Sequence, residues 1–283
     1  MIGKRLPGLD GLLEHRKLLE RAVARLWDDA RVMGLVVGGS LAHGVADLYS
    51  DVDLYVVVRD EAFDEVFAYR DALVEAVGSP LFGFDVDPMP GGSTDHIVVY
   101  EGPVKFDLMY LKESDLEPAP KWIGCVVLKD ATGHVGEVVA HSEGLAPPRP
   151  TSEELLNLNQ EFWIRCWYVF GKIERGELWE ALDGLHSIRS LALLPMMDWA
   201  AERLHEGYRR LESKTDARAA SRLMATVAAV EPEALYAALE AEIELFRRLR
   251  AVLFERYELT FDPRPEEMLE SEMKRRWAMR GAR

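Results

Sequence analysis

The chain has 283 residues, 48% of them hydrophobic and 29% charged, with a formal net charge of −15. This length holds one large domain or two ordinary ones and the composition supports a buried core, whereas the negative charge argues against tRNA or DNA as a substrate, because polyanion binding rests on basic patches. The same field either draws in a small cationic ligand or does no more than keep the protein soluble, and charge alone does not choose between these. No apolar stretch approaches the roughly 20 residues that span a bilayer. The opening segment MIGKRLPGLDGLLEHRK lacks the long apolar core of a signal peptide, so the expected compartment is the cytoplasm. Cys125 and Cys166 stand far apart with no Cys or His cluster around them, which reads as two free thiols rather than a disulfide or a zinc site.

Apolar residues at Leu12, Leu13, Leu18, Leu19, Ala22, Val23 and Leu26 predict a helix within 10–33 that leads into a strand at Leu35 to Val37. A turn follows at Gly38-Gly39-Ser40. Residues 41–46 then predict a short helix whose free N–H groups face a phosphate, with Ser40 as an anion ligand and His43 as a possible further phosphate contact. After ten intervening residues come Asp51 and Asp53, separated by one residue at the head of the run Val52-Asp53-Leu54-Tyr55-Val56-Val57-Val58. In a strand, residues two apart project from the same face, so both carboxylates point one way. Paired hard-oxygen ligands suit Mg²⁺, which shares itself with substrate phosphates.

Phe63, Val66, Phe67, Leu73 and Val74 predict a helix over 61–77. Gly and Pro turns at 78–80 and 88–92 separate strands around 81–86 and 96–100. The run Val104 to Leu111 is apolar except for Lys105 and Asp107. An unpaired carboxylate buried in such a strand costs several kcal/mol, so Asp107 is expected to meet a cation, and with Asp51 and Asp53 it would complete a two-metal site.

The block Ala146-Pro147-Pro148-Arg149-Pro150-Thr151-Ser152-Glu153-Glu154 is the expected boundary between a domain over 1–146 and one over 151–283. Its prolines stiffen the linker, and Thr151 or Ser152 ahead of glutamates is a helix-start signal. Helical periodicity then continues, with helices expected near 152–175, 178–206, 216–229, 232–256 and 265–279, a bundle of about five.

The Gly38-Gly39-Ser40 turn, the Asp51/Asp53 pair and the later strand acid Asp107 together resemble the nucleotidyltransferase superfamily of DNA polymerase β-like enzymes, over roughly the first 115 residues. The helical half is similar in layout to the C-terminal domains of aminoglycoside and lincosamide nucleotidyltransferases. The resemblance implies an α+β protein: an N-terminal domain with a mixed sheet flanked by helices, then a C-terminal helical bundle that contributes to an acceptor pocket. It implies ATP or another nucleoside triphosphate as co-substrate, Mg²⁺ on Asp51, Asp53 and Asp107, and Gly39 and Ser40 at the triphosphate. The implied reaction moves AMP from ATP onto a hydroxyl of a small acceptor such as an aminoglycoside or lincosamide, cationic if the net charge steers its choice, and releases pyrophosphate. The general base is left open among Asp95 and His96, then Asp85 and Asp87, or Asp107 itself. Lys172 and Arg189 are the bundle cations to test for triphosphate contact, against the alternative of surface ion pairs. Asn159 and Gln160 would bind acceptor hydroxyls or amines, and Trp163 and Trp167 would wall the pocket unless they serve ordinary helix packing. Other readings keep a protein or RNA as target, or a catalytically silent nucleotide-binding module of antitoxin type. The chain is expected to be a monomer or homodimer.

Overall fold

A computed structural model describes residues 6–86 and 93–280. The chain forms two compact units, Met1–Ala146 and Pro147–Arg283. The first is built on six strands, β1 (Val32–Val37), β2 (Val52–Val58), β3 (Pro80–Val86), β4 (Thr94–Tyr100), β5 (Val104–Lys112) and β6 (Val126–Asp130), in the order β3-β4-β5-β2-β1-β6. β2 and β5 run parallel and every other neighbouring pair is antiparallel, so the sheet is mixed.

Alternation along the strands decides which side chains are buried. Val52, Leu54 and Val56 of β2 and Val104, Phe106, Leu108 and Tyr110 of β5 turn to one face. There they pack with Leu19 and Val23 of α1 (Leu13–Leu26) and with Leu73 and Val77 of α4 (Arg70–Val77). The other face is covered at its β1 side by Val135, Val138 and Val139 of α5 (His134–Ser142) and by Trp122, against Val36 and Val57. At the opposite edge β3 stands with Phe82 and Phe84 exposed.

The helix expected over 61–77 is two, α3 (Phe63–Ala68) and α4, parted at Tyr69. In the first unit, the strand β6 and the helix α5 have no counterpart in the sequence reading. β6 is five residues without a polar and apolar alternation, and α5 starts beside a glycine with left-handed φ, Gly133. What fixes that start is a side chain three residues upstream: the Asp130 carboxylate accepts hydrogen bonds from the Gly133 and Gly136 amides, each at 2.8 Å.

In the second unit α6 (Ser152–Glu174) begins where Thr151 accepts a hydrogen bond from the Glu154 amide at 3.1 Å while Glu154 accepts one from the Thr151 amide at 2.6 Å, a reciprocal cap. Beyond it the described residues form α7 (Leu178–Ile188), α8 (Leu194–Ala200), α9 (Leu211–Lys214), α10 (Ala217–Met224), α11 (Pro232–Arg256) and α12 (Arg264–Arg280). The single helix expected over 178–206 is therefore two, joined by a π-helical turn at Arg189–Leu193 and followed by Pro195 in the first turn of α8, where a missing N–H is tolerated. Phe162 of α6 stacks on Phe246 of α11 at 3.7 Å between ring centroids, at the heart of an apolar cluster that also takes in Cys166, Leu185 and Leu239. No helix among the described residues is long and apolar enough to cross a membrane.

The helical core encloses an ion pair between Arg189 and Glu242. Glu242, with no exposed surface, accepts a hydrogen bond from Arg189 at 3.1 Å, and burial holds its carboxyl well above the usual range. Removing one partner of such a pair strands the other charge, whereas removing both does not. Arg189→Met is thus expected to lower unfolding stability by about 3–5 kcal/mol in urea titrations, and Arg189→Met with Glu242→Leu to recover most of that loss. Equal stability of the single and double variants would contradict this account.

Candidate active site

The turn after β1 is set by contacts to β2. The Gly38 amide donates to the Asp53 carbonyl at 3.0 Å, and Gly39 has φ +60°. A Cβ on Gly39 would lie 1.9 Å from Asp53 Oδ2, so the carboxylate sits directly over the α-carbon and only glycine fits. α2 (Gly39–Ala42) follows, shorter than the expected 41–46. His43 Nδ1 lies 2.6 Å from the Gly39 carbonyl oxygen, which makes it a brace of the turn. Ser40 Oγ is buried and has no hydrogen-bond partner among the described residues. A hydroxyl left so is costly unless a ligand supplies the partner.

The strand register assembles the acids. In the parallel pairing of β2 with β5, Asp53 stands directly opposite Asp107, and Asp51 lies one residue ahead of β2. One carboxylate oxygen from each of the three falls within 4.8 Å of the others. Asp107 Oδ1 is buried without a hydrogen-bond partner. Burial raises the Asp107 pKa, Lys105 works against that, and the charges of Asp51 and Asp95 add to the rise. This donor set, all carboxylate and partly unsatisfied, fits a hard divalent cation.

Lys105, which sequence reasoning passed over, points into the same cluster. Its Nζ is 2.5 Å from Asp107 Oδ2 and 3.0 Å from Asp51 Oδ2. Burial pulls its pKa down, but the hydrogen bonds to Asp107 and Asp51 prevail and the net shift is upward. The signal was present: in VKFDLMYLK, Lys105 and Asp107 are two apart and so share a face.

The two leading candidates for general base separate by one step of the strand. Ile97 opposes Asp107 and Asp95 opposes Met109, so Asp95 shares the face of the acids. Its Oδ1 is buried and unpaired. His96 opposes Leu108 on the other face, is buried in the core and lies with Nδ1 2.7 Å from Asp85 Oδ1. That placement removes His96 from the cluster. Asp85 is held by Arg70 through hydrogen bonds of 2.8 and 2.7 Å, and that guanidinium keeps its carboxyl below the usual range. Asp87 lies outside the described residues.

The bundle residues fall into two groups. Arg189 is buried against Glu242 and the Thr226 carbonyl, and Lys172 pairs with Glu177 at 2.5 Å beside the Tyr168 ring. Their charges are spent within the helical unit, and the expectation that Arg189 meets a triphosphate is corrected by its burial. Asn159, Gln160 and Trp163 line a cleft of about 440 Å³ shared with Asp262 and Glu266. Within it the Asn159 side chain accepts from Arg250 at 2.8 Å, and Arg250 grips Glu266 at 2.5 and 3.0 Å. Trp163 packs edge-on to Phe162 beneath Arg247, and Trp167 stacks on Phe170 beneath Arg276.

The family described as streptomycin adenylyltransferase matches residues 14–273. No curated protein matches the sequence. Among solved structures, the chain is similar to an aminoglycoside 6-adenyltransferase from Bacillus subtilis, with 20% identity and a TM-score of 0.44 over 91% of this chain and 96% of that one. It is also similar to a nucleotidyltransferase-like protein from Exiguobacterium sibiricum, with 13% identity and a TM-score of 0.41 over 84% and 79% of the two chains.

Proposed function

This chain belongs to the streptomycin adenylyltransferase family and is a nucleotidyltransferase, and we propose that it moves the AMP of ATP onto a hydroxyl of a small cationic acceptor of the aminoglycoside kind, releasing pyrophosphate. The observation that carries this reading is Asp53 standing opposite Asp107 on parallel strands, with Asp51 in the same cluster. Asp51, Asp53 and Asp107 would hold Mg²⁺, which supplies charge neutralisation on the triphosphate and orients it for in-line displacement. Ser40 Oγ, buried and unpaired, donates a hydrogen bond to a phosphate oxygen from the short helix α2 that follows β1.

Asp95 is the base in this reading. Its buried, unpaired Oδ1 takes the proton of the acceptor hydroxyl as that oxygen bonds to the α-phosphorus and the bond to the bridging oxygen breaks, pyrophosphate carrying away the electron pair. The net charge of −15 favours a cationic acceptor through long-range attraction. The proposed use of ATP supports a cytoplasmic location.

Incubation with ATP, Mg²⁺ and a panel of aminoglycosides and lincosamides, followed by pyrophosphate assay, tests the proposal. Acceptor-dependent release is expected from at least one aminoglycoside. Absence of release with every acceptor, and with an Asp51→Asn, Asp53→Asn double variant behaving as the parent, would refute it. Asp95→Asn is expected to lower kcat by about 10²–10⁴-fold while Mg-ATP binding is kept. His96→Asn, on the opposite face, should lower thermal stability instead, and a larger kcat loss for His96→Asn than for Asp95→Asn would reverse the assignment.

A further inference from the structure

Lys105 sits on carboxylate oxygens that the proposed metal would need. Its Nζ contacts Asp107 Oδ2 and Asp51 Oδ2, two of the three acids that converge within 4.8 Å. Three carboxylates so close repel one another, and an ammonium between two of them offsets part of that repulsion. The same ammonium is a like charge to any divalent cation, and the two cannot use the same oxygens together. Lys105 is also free to leave: its side chain is 41% exposed, on a four-carbon stem anchored to β5.

We propose that Lys105 is an internal counter-cation that guards the acid cluster against metal alone and yields it to metal arriving with the nucleotide. When a divalent cation takes Asp51 and Asp107, the Lys105 ammonium loses both partners. A triphosphate is then the strongest nearby anion for it to pair with, as a lysine does readily with phosphate. Metal without nucleotide must strand the ammonium. Metal with nucleotide supplies its new partner. Binding of the two is therefore positively coupled, and the coupling is reciprocal by linkage.

The inference rests on the metal reading of the acids, and the test separates the two. Mn²⁺ binding is measured by titration calorimetry and by the loss of the free-ion EPR signal, with and without a non-hydrolysable ATP analogue, for the parent, Lys105→Met and Lys105→Gln. Without nucleotide, Lys105→Met is expected to bind Mn²⁺ about tenfold or more tightly than the parent, since a like charge has left the site. The factor by which the analogue strengthens Mn²⁺ binding should shrink in the same variant. A merely structural role for Lys105 would weaken Mn²⁺ binding, not strengthen it. Lys105→Gln, which keeps a polar end without charge, should follow Lys105→Met. If the parent binds Mn²⁺ with the analogue but neither variant binds the free ion more tightly, the guard role is overturned and the metal site stands. If the parent binds no Mn²⁺ even with the analogue, the metal reading itself fails and the guard role with it.

Discussion

Asp107→Asn is expected to lower kcat by about 10³-fold or more while leaving the melting temperature within a few degrees of the parent. The two halves of that statement have one origin. Asp107 stands opposite Asp53 in register, on the face of β5 that turns away from the large apolar core, so asparagine fills the same space without disturbing Phe106 or Leu108 on the other side. Its carboxylate is a strained element of the fold: burial and the charges of Asp51 and Asp95 push its pKa up, against Lys105. Neutralising it relieves repulsion as well as breaking one contact with Lys105, and these effects on stability oppose each other. The catalytic effect has no such offset, because an amide oxygen without charge cannot replace a carboxylate facing a divalent cation and a triphosphate. Steady-state kinetics beside thermal unfolding measure both parts. A variant that unfolds at room temperature, or one that retains a tenth of the parent rate, would show that Asp107 is structural instead.

Gly39→Ala is the second expected large effect, arising from a residue with no functional group. A methyl there would lie 1.9 Å from Asp53 Oδ2, on a backbone already at φ +60°. The left-handed backbone accounts for about 1–2 kcal/mol of lost stability. The displaced carboxylate accounts for the activity, because misplacing a reacting group by about 1 Å costs on the order of 10²-fold in rate. Gly133→Ala separates the two causes. Gly133 has φ +87° with no atom within 4 Å of its missing Cβ, so the backbone strain is similar and the crowding is absent. It should lose comparable stability and keep its kcat. Equal kcat losses for the two variants would mean that strain alone, not the position of Asp53, is responsible.

Which parts of this arrangement could be read from the chain follows the range of the forces concerned. The pairing of Asp51 with Asp53 and of Lys105 with Asp107 depends on the two-residue period of a strand, and α6 announces its own start through Thr151 and Glu154. Both are settled within a few residues. β6 and α5 stayed hidden because both are short, β6 without alternation and α5 with its helical spacing of Val135, Val138 and Val139 confined to nine residues, and because neighbours distant in sequence hold them: Val36 of β1 pairs with Val127, and Val135 packs under Gly34.

The choice between Asp95 and His96 was beyond local reading for a related reason. Adjacent residues in a strand face opposite ways, so one of the two had to turn from the acids, but which one depends on the register of β4 against β5. Arg189 shows the same limit in the helical unit. Its charge and its place on a helix are plain in the sequence, while its partner Glu242 lies 53 residues further on and is brought to it only by packing.

The sequence alone therefore determined the chemistry on offer: a glycine turn, two acids on one face, a third acid with a lysine beside it, and a helical second half. Tertiary structure decided the selection, setting Asp107 across from Asp53, Asp95 beside them, His96 in the core and Arg189 inside the bundle. Side-chain direction within a strand is a property of neighbouring bonds, whereas register and burial are set by the packing of segments tens of residues apart.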